Sequence, residues 1–126
     1  MAGGHDVLPC TVPDSMTANV GINLEKLLAL NPDAIVTRTP ATAHMIRASA
    51  GWNALKAVRT KRVYAYPSLP FNWAERPHSQ FKLLAIEWLA NRLYPDFYPF
   101  GTAKVQDFFQ RFYGKTLSDA EARHLI

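Results

Sequence analysis

Two short stretches carry side chains suited to holding an anion or a flat solute. The first runs Pro-Phe-Asn-Trp-Ala-Glu-Arg-Pro from Pro70 to Pro77. Trp73 offers rigid apolar area for stacking at little entropic cost. The Arg76 guanidinium offers a planar fork of donors that matches a carboxylate, a phosphate or another oxyanion. Phe71 reads as a plug for the core. The second stretch is Thr37-Arg38-Thr39-Pro40, where hydroxyl and backbone donors could meet a polar ligand. It reads equally well as a plain turn in which Thr39 caps a helix.

Other chemistries find little support. Nucleophilic catalysis needs a Ser, Cys or Thr beside an oriented base, yet there is no Gly-x-Ser-x-Gly elbow and Cys10 has no recognisable context. Zinc sites usually gather ligands in close pairs, whereas His5, His44, His78 and His124 stand far apart. Gly3-Gly4 lacks the further Gly and the Lys of a phosphate loop. The expectation is therefore no catalytic residue, no metal and no cofactor. The competing reading from another class is a small metal-dependent enzyme or regulator built on His44, His78 and Glu75.

Composition fits an ordered domain. The chain has 126 residues, 48% of them hydrophobic and 12% aromatic, enough for a core. The net charge of +4 could attract nucleic acid, but the only dense basic run is Lys56, Arg59, Lys61 and Arg62, which reads as a solvated loop. No RNA-binding fingerprint or Arg-loaded helix accompanies it, so no nucleic-acid partner is expected. A single cysteine excludes an intrachain disulfide. No stretch approaches the roughly 20 apolar residues of a membrane span. Met1 to Asp6 has neither a basic start nor an apolar run, so no signal peptide is expected within this chain.

The elements that must position the two stretches follow from periodicity and turn chemistry. Residues 1–21 form a loop-rich start with a short extended piece at Asp6 to Leu8, and residues 22–126 carry helix-strand units and then helices, in a single domain. Asn23 caps a short helix that stops near Leu30, because Pro32 disfavours helix at Asn31. Ala34 to Thr37 is a buried strand, and a helix, a tight Asn-Pro-Asp turn and a strand in that order point to a parallel sheet. Pro40 breaks the chain and Ala41 to Ala50 is helical. Arg62 to Tyr66 alternates and forms the second strand, closed by Pro67. Ser79 caps the strongest helix, with Phe81, Leu84, Ala85, Trp88, Leu89 and Arg92 on one stripe that Leu83, Ile86 and Leu93 widen. A helix over Val105 to Tyr113 ends at Gly114, and Ser118 or Asp119 caps a last one over Ala120 to Ile126. Both candidate stretches thus follow strands directly, and ligands in open α/β sheets bind beyond the carboxyl ends of the strands.

This order of elements resembles a known family. Asn23 to Val36 is similar to the helix-strand unit of ABC-transporter solute-binding proteins for iron-siderophore chelates and cobalamin. Trp52 to Pro67 resembles their W-x-x-L-x-A-V…R-V-Y…P stretch. Phe71 to Pro95 resembles their F-x-W-x-x-R-P-x-S loop with the following helix, and Ala2-Gly3-Gly4 the A-G-G that precedes the region.

The resemblance implies an α/β fold, a small partly parallel sheet flanked by helices, matching a truncated C-terminal lobe of a class III periplasmic binding protein. It implies a ligand-capturing module of an importer rather than an enzyme. In cobalamin-binding members a D-W-x-x-R loop meets the ligand; Asn72, Trp73 and Arg76 occupy the matching places, with one charge fewer at Asn72. The resemblance thus implies Asn72, Trp73 and Arg76 as ligand residues, and the loop after the first strand adds Arg38 and Thr39 to the expected set. Molybdate- or tungstate-binding members share the P-F-x-W-x-x-R-P pattern, so an oxyanion is the alternative to a metal chelate. Glu25 matches the residue that docks the lobe onto the permease. The parent protein would be periplasmic or extracellular and associated with the membrane. The opposite lobe, the linking helix and the first strand-helix unit are expected to be missing here, which would bare a sheet edge and favour a homodimer through it.

Overall fold

The computed structural model describes residues 3–7, 23–75 and 79–126 of the chain. Asn23 opens helix α1 (Leu24–Leu30): its side-chain oxygen accepts the Lys26 N–H at 2.9 Å, satisfying a first-turn donor that has no partner inside the helix. Asn31 closes it in the left-handed region, φ 39°, which asparagine tolerates better than most residues. The Asn31 side chain then accepts the Lys56 N–H at 2.9 Å, at the start of helix α3 (Lys56–Arg59). One side chain therefore ties the end of one helix to the beginning of another.

Strands β1 (Ile35–Thr37) and β2 (Val63–Ala65) pair in parallel, with Ile35 opposite Val63, Val36 opposite Tyr64 and Thr37 opposite Ala65. Both are shorter than the sequence suggests, but single hydrogen bonds prolong the ladder, Ile35 N–H to Arg62 O at 2.9 Å and Tyr66 N–H to Thr37 O at 3.2 Å. Parallel strands need a crossover, supplied by α2 (Pro40–Ala48), a 3-10 turn at Ala50–Trp52 and α3. Pro40, expected to break the chain, instead occupies the first helical turn, where its missing N–H costs nothing and its fixed φ suits the helix. Thr39 caps that helix by accepting the Thr42 N–H at 3.2 Å. Thr37 is buried, and its hydroxyl is shared between Thr39 O at 2.9 Å and Tyr64 O at 3.1 Å.

Two apolar cores flank the strands. The smaller joins Ala43 and Ile46 of α2 to Ala57 and Val63. The larger is aromatic and forms between α4 (Phe81–Leu93), α5 (Thr102–Tyr113) and α6 (Asp119–His124). Phe81 is its hub, with ring centroids of Phe71, Phe108 and Phe109 at 4.9, 5.2 and 5.6 Å. Edge-on and tilted arrangements of this kind add to what area burial alone contributes.

Trp88 joins α4 to β2 through Tyr64 and Tyr66, at 6.4 and 5.3 Å. Ser79 is not the N-cap of α4; Gln80 stands there without a side-chain bond, and Ser79 Oγ accepts the Phe81 N–H at 3.3 Å. Leu83 and Ile86, expected to widen the buried stripe, are exposed, because the helix packs on its other side, Phe81, Leu84 and Ala85 in the cluster with α5 and Trp88 against Tyr64 and Tyr66. Helix α5 starts three residues before Val105, and Gly114 ends it at φ 62°. Ser118 and Glu121 form a reciprocal capping box on α6, and this hydrogen bonding holds the Glu121 carboxyl below its usual range. Asp6 and Val7 are irregular rather than extended, and Leu8 and Cys10 lie outside the described residues.

The doubly used hydroxyl of Thr37 leads to a prediction. Thr37→Val keeps shape but removes the hydroxyl that the Thr39 and Tyr64 carbonyls share, and should cost about 1 kcal/mol in urea unfolding. An unchanged midpoint would show that the hydroxyl does not hold the strand ends together.

Candidate functional site

Because the strands are parallel, the loops leaving them emerge at one end of the sheet, and the second loop is folded back onto the first. Asn72 Nδ2 donates to the Arg38 carbonyl at 2.8 Å, while Asn72 Oδ1 accepts the Ala74 N–H at 3.0 Å, an Asx turn. Asn72 thereby fixes its own loop and pins it to the loop after β1. Arg38 Nε meets Glu75 Oε2 at 2.6 Å across the same junction. The Arg38 side chain remains 74% exposed and that of Glu75 36%, so the pair is open to solvent and to an incoming solute. Thr39, also exposed, offers its hydroxyl beside that of Thr42 at 2.9 Å. The structure thus brings Arg38, Thr39 and Asn72 together and adds Glu75, which sequence reasoning had placed only in the competing metal reading.

Trp73 requires a correction. It is 1% exposed, packed against Phe81 at 5.9 Å and Phe100 at 6.5 Å, and its indole N–H donates to Leu69 O at 2.8 Å. A ring enclosed on both faces with its one donor satisfied has no surface left for stacking. Trp73 plugs the corner, the part expected of Phe71, which is only half-buried. Arg76 lies outside the described residues, as do Pro77 and His78. Glu25 is exposed in the first turn of α1.

Of the competing metal reading, only His44 and Glu75 lie among the described residues. Among the described residues no group of three His, Cys, Asp or Glu side chains could hold an ion, and Glu75 is engaged by Arg38. The basic run is also less uniform than its composition suggests. Lys56 pairs with Asp33, whose carboxyl is held below its usual range by the hydrogen bond and charge of that lysine. Arg62 is half-buried and donates to Leu93 O at 2.9 Å, a cation on the last carbonyls of α4.

A second concavity, about 450 Å³, runs beside β2 between α2, α4 and α6. Arg47 reaches across it to the Val63 carbonyl, and the Arg92 guanidinium lies 5.4 Å from the Trp88 ring centroid. Tyr66 lines it, with burial pushing its hydroxyl above the usual tyrosine range. No sequence signal pointed to this cleft, since its residues come from four separate elements.

No protein-family model matches the sequence. A curated relative, the molybdate-binding protein MolA of Haemophilus influenzae, is 30% identical over 116 residues, covering 89% of this chain and 32% of the relative. Among solved structures, an ABC transporter solute binding protein from Sulfurospirillum deleyianum superposes with a TM-score of 0.86 at 34% identity, over 99% of this chain and 39% of that one. The Haemophilus influenzae MolA structure bound to molybdate superposes with a TM-score of 0.55 at 27% identity, over 77% and 31%. A periplasmic solute binding protein from Veillonella parvula, at 22% identity and a TM-score of 0.62, supports the fold alone. The chain spans about a third of the length of these relatives. The α/β class with a small parallel sheet and the likeness to ABC-transporter solute-binding proteins, both expected from the sequence, hold.

The two parts offered to Trp73 differ in cost. As a core plug, Trp73→Ala should lower unfolding stability by about 3–5 kcal/mol. A ligand-facing ring would lose little, so a loss below about 1 kcal/mol, the scale of an ordinary surface substitution, would restore the stacking role.

Proposed function

For a chain whose sequence and fold match one part of the class III solute-binding proteins of ABC transporters, we propose that it forms one wall of an importer's solute trap, with its rim receiving an oxyanion of the molybdate type. The observation that carries this reading is the meeting of Arg38, Thr39 and Asn72 beyond the carboxyl ends of both strands, exposed and pinned by one asparagine. A guanidinium with hydroxyl and amide neighbours suits a small, fully polar anion. The iron-siderophore or cobalamin reading fits less well: such chelates present broad, partly apolar surface, and the aromatic face intended for it, Trp73, is enclosed. The one named molybdate binder among the relatives, Haemophilus influenzae MolA, supports the same reading. Arg76, continuing the Asn72–Glu75 loop, is assigned to the same ligand set.

The wider roles follow by analogy with the relatives, which are transport proteins. Glu25, exposed at the start of α1, would meet the membrane permease, and the longer protein would work in the periplasm. No helix among the described residues is long and apolar enough to cross a membrane. Neither outer edge of the two-stranded sheet pairs with a further strand among the described residues, and a second copy would be the partner for a bared edge.

Sites that hold small ligands well bury most of their surface, so a single wall should bind weakly. Calorimetric or NMR titration with sodium molybdate and tungstate should give saturable binding, and Arg38→Ala should weaken it about tenfold, the worth of one charge-assisted hydrogen bond. Titration with a ferric siderophore and cyanocobalamin provides the contrast. Saturable binding of either chelate with no oxyanion binding, or oxyanion binding indifferent to Arg38→Ala, would sink this assignment.

A further inference from the structure

We infer that Glu75 is an internal competitor for the anion site, a carboxylate that occupies Arg38 while the site is empty and that any ligand must displace. The inference rests on the oxyanion reading and concerns what sets its affinity. Among the described residues the Arg38 side chain makes one ion pair, Nε to Glu75 Oε2 at 2.6 Å. A carboxylate oxygen there is chemically what an oxyanion would present: a negative oxygen on a guanidinium edge.

The contact is built in rather than incidental. Glu75 lies three residues after Asn72, whose side chain holds the Arg38 carbonyl at 2.8 Å and the Ala74 N–H at 3.0 Å. The turn that orders the loop also delivers Glu75 to the arginine, and a tether this short gives the carboxylate a high effective concentration at that guanidinium. Neither end is buried. The Arg38 and Glu75 side chains retain 74% and 36% of their exposure, so the pair can open into water without leaving a charge stranded.

The consequence is quantitative. When only the open fraction of a site can accept ligand, the apparent dissociation constant is the intrinsic one divided by that fraction, whatever the ligand. Glu75 would therefore raise the apparent dissociation constant of every anion by one common factor, which lifts that of a weak, abundant anion above its concentration while a tight ligand still saturates the site. A carboxylate that merely repelled anions through its field would instead penalise a dianion more than a monoanion.

Perrhenate is a tetrahedral oxyanion like molybdate but carries one negative charge, so the pair separates the two mechanisms. The test titrates wild-type protein, Glu75→Gln and Arg38→Ala with sodium molybdate and with sodium perrhenate, at low salt. Displacement predicts that Glu75→Gln tightens both anions by the same factor, on the order of two- to fivefold, the range of an exposed ion pair. Melting temperature should fall by no more than a few degrees, as loss of one exposed ion pair implies, and the gain should shrink as salt screens the pair. A gain for molybdate alone, no gain, or weaker binding in Glu75→Gln would overturn the inference while Arg38-dependent molybdate binding left the oxyanion reading standing. Failure of wild type and Glu75→Gln alike to bind either anion would overturn both.

Discussion

The parallel pairing of β1 with β2 is the constraint from which the rest of the molecule follows. Antiparallel strands would send their following loops to opposite ends of the sheet. Parallel ones send both to the same end, and only then can the loops after Thr37 and after Ala65 touch. Three paired residues are few for this task, and the pairing is reinforced at its carboxyl end by side chains rather than by more ladder. The Thr37 hydroxyl bridges a carbonyl on each side of the junction, and Asn72 ties the second loop to the backbone of Arg38. The bonds that secure the strand ends are the same bonds that shape the rim.

The rim is exposed and ionic, yet it stands on a dry aromatic base. Trp73 and Phe81 lock the loop from beneath, and Phe81 in turn is wedged by α5 through Phe108 and Phe109. This division of labour explains how one octapeptide can hold both a core residue and ligand-facing groups. Successive residues diverge: Asn72 turns to the neighbouring loop, Trp73 into the core, Glu75 back to the surface against Arg38. The polar side chains at this corner inherit their positions from an apolar neighbour, so in the proposed solute trap the aromatic residue would matter to binding without touching what is bound.

Much of the architecture was legible in the sequence because its signals are local. Asn23, Thr39 and Ser118 cap helices through their own side chains, and the short β-branched and aromatic runs at Ile35 and Val63 need only their alternation and flanking turns to read as strands. The α/β class and the position of the two loops followed. What was not legible depends on contacts distant in sequence. Whether Trp73 faces a ligand or the core is decided by Phe81 and Phe100, on other elements, since a tryptophan in a proline-rich corner suits either role. Arg62 looked like one more solvated cation until α4 placed its last carbonyls beside it. Glu75 and Arg38 are 37 residues apart, and nothing in either stretch announces the pairing.

The ligand class can be argued from what the rim lacks as well as from what it holds. A large chelate gains most of its binding from apolar contact, at about 25 cal/mol per Å² removed from water. With Trp73 enclosed, the groups gathered at the described rim are a guanidinium, a hydroxyl, an amide and a carboxylate. Such groups gain little from area and much from charge and directed hydrogen bonds, which favours a compact anion whose oxygens each find a donor. The same reasoning explains why an internal carboxylate sits well there. An empty cationic rim on a chain of net charge +4 would attract whatever anion was most abundant. The tethered carboxylate neutralises the guanidinium locally, and in the proposed trap it would set the lower bound on what an external anion must offer to take its place.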